Sequence, residues 1–310
     1  MSTDIFYPPP PDASPKLHRE SSRADSVVLV GLIGAGIQRS LSPVMHETEA
    51  AHHGLRLRYQ LIDVDQELLT AATLPQLLNT AKAQGFRGLN ITYPFKQAVL
   101  PLLDSLSDDA RAIGAVNTVL FDNGRATGHN TDSPGWGRAF RSALPEADLR
   151  RVTLLGAGGA GSAVAHAVLS LGAQHLLIHD RNHHRAISLA KTLCKRYGLE
   201  RAEAKTDLAQ AMGQCTGLIH ATPTGMDKLP GMPLPENLLR SDMWVAEVVY
   251  FPLQTALLKA ARAAGCATVD GGGMAVWQAV GAFELFTGIT PDAARMEAHF
   301  RACVAQRQDP

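Results

Sequence analysis

At 310 residues, 45% of them hydrophobic and 19% charged, the chain is long enough to bury one large core or two ordinary ones. Lys+Arg and Asp+Glu balance at 29 each with no long run of one sign, which sets nucleic acid and anionic membrane surfaces aside and leaves small-molecule chemistry as the expectation. Cys194, Cys215, Cys266 and Cys303 form no Cys-x-x-Cys pair. With no apolar signal core at the N-terminus and no segment of membrane-span length either, the expectation is a cytoplasmic protein with reduced thiols, not a zinc ribbon or a disulfide scaffold.

In chain order, residues 1–24, which include "YPPPPDASP", read as a flexible extension. "SVVLVGLIG" reads as a buried strand, "SPVMHETEAAHHGL" as a helix starting near Ser42 or Pro43, "RYQLIDV" as a strand and "LTAATLPQLLNTAKAQG" as a helical stretch ending at Gly85. "GFRGLNITYP" is a further strand, and "FKQAVLPLLD" is predicted as the helix after it. After the polar "LPEADLRR" the rhythm restarts at "RVTLLGAGGAGSAVAHAVLSLGAQHLLIHDR" and runs on through "GLIHATP", "MWVAEVVY" and "ATVDGG". Such alternation predicts an α/β protein with a largely parallel sheet, and the restart predicts two units. Met274 to Phe286 has the apolar spacing of a core helix, and by pattern alone the final helices fit either unit.

Two glycine turns compete for a nucleotide phosphate. Gly156, Gly158 and Gly161 form G-x-G-x-x-G directly after the apolar run Val152 to Leu155 and before a small-residue helix. The first glycine permits the tight turn, the second lets the backbone approach a pyrophosphate, and the third lets helix and strand pack closely. Asp180 in "HLLIHDR" stands 24 residues after Gly156, near the usual spacing of about 20 for a ribose-binding carboxylate. The opening turn, "GLIGAGIQRSLSPVMH", offers Gly34 and Gly36 but has Arg39 where a small residue should follow, and no carboxylate is read at a fitting distance on the next strand. It is therefore set aside as the nucleotide loop. Behind it, Ser40 and Ser42 place two hydroxyls ahead of a Pro-initiated helix, an arrangement suited to a carboxylate; taken alone, Ser42 reads as an ordinary N-cap.

"GLNITYPFK" brings Asn90, Thr92 and Lys96 to a strand end followed by a predicted helix, where open parallel sheets place their ligands. "AIGAVNTV" and "GHNTDSPGWG" add Asn117, Asn130, Thr131 and Asp132 in loops. One lysine, one carboxylate and several amides and hydroxyls suit a polyhydroxylated carboxylic acid. Oxidising a secondary alcohol with a nicotinamide needs a base for the hydroxyl proton. No metal site is expected to supply it: His46, His52 and His53 have no matching carboxylates, and His183 and His184 sit in a polar helix start. A lysine in water is protonated at neutral pH, so a lysine base must be partly buried; the alternative for Lys96 is a surface position on an amphipathic helix.

"GIQRSLSPVMH", "GLNITYPFK", "GAVNTV", "GHNTDSPGW", "GAGGAG", "ATPTGM", "VVYFPLQTALLKAA" and "MAVWQAVGAFELFTG" occur in an order that resembles the shikimate dehydrogenases and their quinate/shikimate dehydrogenase relatives, over roughly residues 27–300. The resemblance implies an N-terminal α/β substrate domain over 25–131, joined by C-terminal helices 275–310, and a Rossmann dinucleotide-binding domain over 132–274, with the cleft between them. It further implies that Ser40 and Ser42 hold the substrate carboxylate, that Thr92, Asn117 and Gln278 bind its hydroxyls or orient its ring, and that Tyr250 lies close by. Lys96 and Asp132 would form the catalytic pair, with Lys96 as base for alcohol oxidation and acid for ketone reduction. The nucleotide would meet the loop Gly156, Ala157, Gly158, Gly159, Ala160 and Gly161, the segment around Asp180 and Arg181, Thr222 and Val249, with Gly273 and Met274 closing over nicotinamide.

Asp180 favours NAD, because a carboxylate accepts from the adenosine ribose hydroxyls and repels the extra phosphate of NADP. NADP-specific members of the family commonly carry Asn-Arg-Thr or Asn-Arg-Ser where this chain has Asp180-Arg181-Asn182; Arg181 keeps NADP open. Ser42 resembles the shikimate type, since quinate users often have threonine there. The expectation is an NAD-preferring quinate/shikimate dehydrogenase, monomer or homodimer, acting on a small acid. The alternatives are an NADP-dependent biosynthetic shikimate dehydrogenase, an aminoshikimate-type paralogue, and a non-catalytic nucleotide sensor, which has no need of a Lys96–Asp132 pair.

Overall fold

A computed structural model describes residues 27–65 and 73–308, so the extension read at 1–24 lies outside the described residues. The first unit runs β1 (Val28–Gly34), α1 (Ser42–His52), β2 (Leu57–Asp63), α2 (Leu74–Ala83), β3 (Gly88–Ile91), β4 (Ser105–Leu106), α3 (Asp108–Ile113), β5 (Thr118–Asp122) and β6 (Arg125–His129). Its sheet has the order β2-β1-β3-β5-β6-β4. β1 pairs in parallel with β2 and β3, whereas β3–β5 and β5–β6 are antiparallel. The predicted parallel character thus fails at β5–β6, a hairpin closed by Asn123 and Gly124 with φ of 48° and 76°. Asn-Gly is the dipeptide whose left-handed conformations match the twist of a two-residue hairpin.

The helix predicted over "FKQAVLPLLD" does not form. Phe95 to Val99 runs through turns into a short 3-10 segment at Leu100–Leu102. Pro101 has no amide to give a helical bond to the carbonyl of Gln97 and its ring crowds that carbonyl, so the stretch stops at a single 3-10 turn. Lys96 therefore sits in a turn under the end of β3, with its carbonyl pinned by the Val116 amide at 2.8 Å.

The second unit runs α4 (Asp132–Ala143), β7 (Arg151–Leu155), α5 (Gly159–Ser170), β8 (His175–His179), α6 (His183–Tyr197), β9 (Ala202–Ala204), α7 (Leu208–Gln214), β10 (Gly217–His220), β11 (Trp244–Glu247), α8 (Ala256–Ala263) and β12 (Ala267–Val269). Its wholly parallel sheet has the order β12-β11-β10-β7-β8-β9, the doubly wound arrangement whose ligand crevice opens between the first and fourth strands, here β7 and β10.

α9 (Gly272–Thr287) and α10 (Ala293–Gln308) complete the chain. Met274 is buried in the core around β7 and β8, whereas Ala282 and Phe286 pack with Val30, Leu32 and Tyr59 of the first sheet. Met296, Phe300 and Val304 of α10 pack on Leu41 and Met45 at α1. Glu49 of α1, 1% exposed, secures this contact by accepting from Arg295 Nε and Nη2 at 2.8 and 2.6 Å and from the Asp292 amide at 2.8 Å. The final helices thus cover the first unit, with the first half of α9 also packing along α4 of the second. There α4 and α9 cross in near backbone contact: a Cβ on Gly135 would stand 2.8 Å from the Gln278 amide, and one on Gly273 2.8 Å from Ala139 Cβ.

His46 on α1 is fully buried against Tyr59, with ring centroids 4.9 Å apart, and its Nδ1 donates to the Ser42 carbonyl at 2.9 Å. Burial lowers its pKa to about 4, the backbone bond opposing. Since the folded chain then binds this proton only near pH 4 and the unfolded chain near 6.5, stability is full above 6.5 and falls as pH drops through that window. Between pH 7 and 4.5, His46→Gln should lose about 2–3 kcal/mol less stability than the unaltered protein, measured by urea unfolding at both pH values; equal losses would refute the assignment.

Candidate active site

The opening glycine turn is closed by the protein itself. Asp63, at the end of β2, accepts from the amides of Gly36 at 2.8 Å and Ile37 at 3.0 Å. This corrects the reading that no carboxylate ends that strand, and it supplies the physical reason why the turn is not the nucleotide loop: its donors are taken. Arg39 points across to the loop after β10, pairing with Asp227 at 2.6 Å and stacking over the Phe251 ring. Ser42 also departs from expectation. Leu41 holds the N-cap position and α1 has no side-chain cap; Ser42 is already the first helical residue, and its hydroxyl accepts from Ser40 Oγ at 3.1 Å while its amide donates to that same oxygen at 3.2 Å. Both hydroxyls are thus free of capping duty. Ser42, Tyr250 and Gln278 line one small cavity together with Met45 and Phe300. Tyr250 is 37% exposed as a residue, but desolvation of its hydroxyl raises its pKa, with the Ser40 hydroxyl opposing and the Asp132 charge adding. Thr92 follows the end of β3, its methyl filling the space that a side chain on Gly34 would need; it does not line that cavity.

Near enough for the Asp132 charge to act on Tyr250, Lys96 Nζ donates to Asp132 Oδ2 at 2.5 Å, with the lysine side chain 16% exposed and the aspartate 4%. Asp132 Oδ1 accepts from Asn117 Nδ2 at 3.0 Å. Asn117 Nδ2 also donates to Thr131 Oγ1, and its Oδ1 accepts from the Thr131 amide and from Thr118 Oγ1. Its four hydrogen-bonding positions are therefore filled; as placed here, Asn117 orients Asp132. Asn130 caps the start of α4 by accepting from the Ser133 amide at 3.1 Å.

Tyr59 and Thr118 of this network were outside the expected site, whereas Asn90 had been placed at its strand end. Tyr59 donates to Asn90 Oδ1 at 2.8 Å, and Asn90 Nδ2 donates to Thr118 Oγ1 at 3.0 Å. Every bond from Tyr59 through Asn90, Thr118 and Asn117 points toward the Asp132 carboxylate. The signal in the sequence is Asn90 itself: an amide in the wholly buried strand "GLNI" requires partners.

The second glycine turn has the predicted geometry. Gly156 has φ of 102°, and a Cβ on Gly161 would meet the Gly156 carbonyl at 2.0 Å, so both glycines are demanded by backbone. Among the described residues no other protein atom lies within 4 Å of a Cβ placed on Gly158, so packing does not explain that glycine, and the space before the start of α5 is open to an approaching phosphate. Gly159 faces the first unit: a Cβ there would stand 2.7 Å from Lys96 Cβ. Ala157 donates to Asp180 Oδ2 and Asn182 to Asp180 Oδ1, both at 2.7 Å, which leaves each carboxylate oxygen a lone pair for ribose hydroxyls. Arg181 is exposed. Ala160 lies in the first turn of α5. Thr222 and Val249 follow the ends of β10 and β11, whereas Gly273 and Met274, expected over the nicotinamide, face Ala139 and the second core. Among the described residues no group of three or more His, Cys, Asp or Glu is placed to hold a metal, and no helix is long and apolar enough to cross a membrane. The arrangement can grip a carboxylate at one end, exchange a proton with a ring hydroxyl at the other, and hold a dinucleotide alongside.

A family model described as the shikimate dehydrogenase substrate binding domain matches residues 32–119, and one described as the shikimate 5'-dehydrogenase C-terminal domain matches residues 271–299. Shikimate dehydrogenase (NADP(+)) of Streptomyces avermitilis is 54% identical over 272 residues, covering 87% of this chain and 94% of that one. Quinate/shikimate dehydrogenase (NAD(+)) of Corynebacterium glutamicum is 46% identical over 277 residues, covering 88% and 98%. The solved structure of quinate dehydrogenase from Corynebacterium glutamicum in complex with NAD superposes with a TM-score of 0.80 at 45% identity, covering 89% of this chain and 99% of that one.

Proposed function

Since the chain belongs to the shikimate dehydrogenase family, and is thereby an NAD(P)-dependent alcohol dehydrogenase, we propose that it is an NAD-preferring quinate/shikimate dehydrogenase, reversibly oxidising a ring hydroxyl of shikimate to 3-dehydroshikimate, of quinate to 3-dehydroquinate, or both. The observation that carries this reading is the Lys96–Asp132 pair lying directly against Gly159 of the nucleotide loop, which puts a proton-transfer group next to where hydride must leave. The bound nicotinamide supplies the hydride acceptor. Ser40 and Ser42 hold the carboxylate, Lys96 takes the hydroxyl proton, and Asp132 orients the lysine and stabilises its ammonium. In the reverse direction Lys96 returns the proton to the ketone oxygen.

Asp180 supports NAD, because a second phosphate on the adenosine ribose would meet its carboxylate. A second reading, an NADP-dependent biosynthetic enzyme, is favoured by Ser42 and by the Streptomyces avermitilis relative, which is named for NADP(+). Initial rates with quinate and shikimate, each crossed with NAD and NADP, separate the two. NAD-linked oxidation of both acids is the expected result; activity confined to shikimate with NADP would mean that Arg181 outweighs Asp180.

A further inference from the structure

We infer that His220 and Glu247 are a buried positioning pair that fixes the Thr222 hydroxyl as a hydrogen-bond acceptor for the nicotinamide half of the dinucleotide; the inference rests on the nucleotide site proposed above. His220 ends β10 and Glu247 ends β11, directly opposite one another in register, and neither has appreciable exposure. Glu247 Oε1 faces His220 Nδ1 at 2.8 Å and accepts from the amides of Val248 at 2.9 Å and Val249 at 3.0 Å; Oε2 accepts from Thr255 Oγ1 at 3.1 Å. Every group facing this carboxylate is a donor, so Nδ1 is the ring nitrogen that carries hydrogen. In the neutral imidazole Nε2 is then an acceptor, and the hydroxyl 2.5 Å away, Thr222 Oγ1, must donate to it. With its hydrogen committed and one lone pair accepting from the Thr224 amide at 3.3 Å, the threonine oxygen has a single lone pair left for a ligand donor.

Stability does not explain the pair. Two strands held side by side need no buried imidazole and carboxylate, and an apolar pair of similar volume serves as well or better. Its location does: the C-terminal ends of β10 and β11 border the crevice opposite the Asp180 side, so the nicotinamide half, continuing from the glycine loop, passes over them. Thr222 stands at the join, its methyl 3.0 Å from a Cβ placed on Gly156. The same carboxylate also fixes the backbone of Val249, so one buried group sets both edges of the nicotinamide site. Donors available from the ligand are a ribose hydroxyl and the carboxamide.

The test measures dissociation constants of NADH, by fluorescence, and of ADP, by calorimetry, for the unaltered protein, Thr222→Val, His220→Leu and the double variant. Thr222→Val preserves side-chain shape and tests the idea even if His220→Leu fails to fold. Each single change should weaken NADH roughly tenfold and leave ADP within about twofold, and the double variant should be no weaker than either single one, because His220 acts through the Thr222 hydroxyl. NADH affinity unchanged in Thr222→Val, or additive losses in the double variant, overturns the pair's role alone. Absence of binding of both NADH and NADPH by the unaltered protein overturns the nucleotide site and this inference with it.

Discussion

Lys96→Met should lower kcat for oxidation of the acid by about 10³-fold while leaving the NADH dissociation constant within a few-fold. Methionine keeps an unbranched stem over Gly159 and deletes only the amine, so the loss reports the proton transfer and the charge that accompanies it, not the packing. The size follows from the usual contribution of a positioned acid–base group, about 10²–10⁴. Two features of the structure make the reading specific: Asp132 holds the amine at 2.5 Å, and Asp132 itself is fixed by Asn117 at 3.0 Å. Steady-state rates across pH 6–10 with matched fluorescence titrations would check it. Retained turnover with an unaltered pH profile would remove Lys96 from the chemistry and leave the nucleotide site standing.

Gly159→Ala should lower kcat by about 10–100-fold through the same lysine, although the substitution lies in the nucleotide loop. A methyl group there would stand 2.7 Å from Lys96 Cβ and 3.3 Å from its Cδ. The contact is at the root of the side chain, so the lysine cannot relieve it by swinging its far end. The Gly159 backbone is not in the left-handed region, so alanine brings no conformational strain of its own and its amide remains available to a phosphate. A displacement of about 1 Å at a reacting group is enough for a loss of this order. The distinguishing measurement is kcat against the NADH dissociation constant: a large fall in the first with less than a tenfold change in the second. A pure loss of nucleotide affinity would mean that Lys96 moves freely and that the two units are not registered through this contact.

The parts of the site that could be read from sequence are those written locally. The second glycine turn declares itself because strand, glycines and helix are contiguous, and Asp180 follows one strand later. The hairpin at Asn123–Gly124 is written just as locally, since the dipeptide carries its own backbone requirement, but the expectation of a largely parallel sheet passed over it. Pro101 argues locally against a helix through "FKQAVLPLLD", yet the apolar spacing of that stretch led to a helix being expected there. What could not be read depends on register between distant segments. Tyr59 occupies a β2 position indistinguishable by pattern from any half-buried aromatic, and becomes a polar partner only because β2 lies one strand from β1 and two from β3, with Asn90 on the latter. His220 and Glu247 are 27 residues apart and meet only through strand pairing. Asp63 was visible, but its meaning depends on where β2 ends relative to the turn after β1. Ser42 shows the converse: its residue type suits a cap, and the helix simply begins one residue earlier than a cap there requires.

Asp63 has a consequence for how many nucleotides the chain takes up. The two units present comparable turns, each following the first strand of its sheet, and each with an aspartate from the neighbouring strand reaching the turn amides. In the first, the carboxylate takes two successive amides and leaves a negative charge where a pyrophosphate would lie; in the second it takes one and stands off to the side of the helix start. A protein assembled from two such units has the raw material for two cradles, and in this chain the amides of the first are already taken by its own carboxylate.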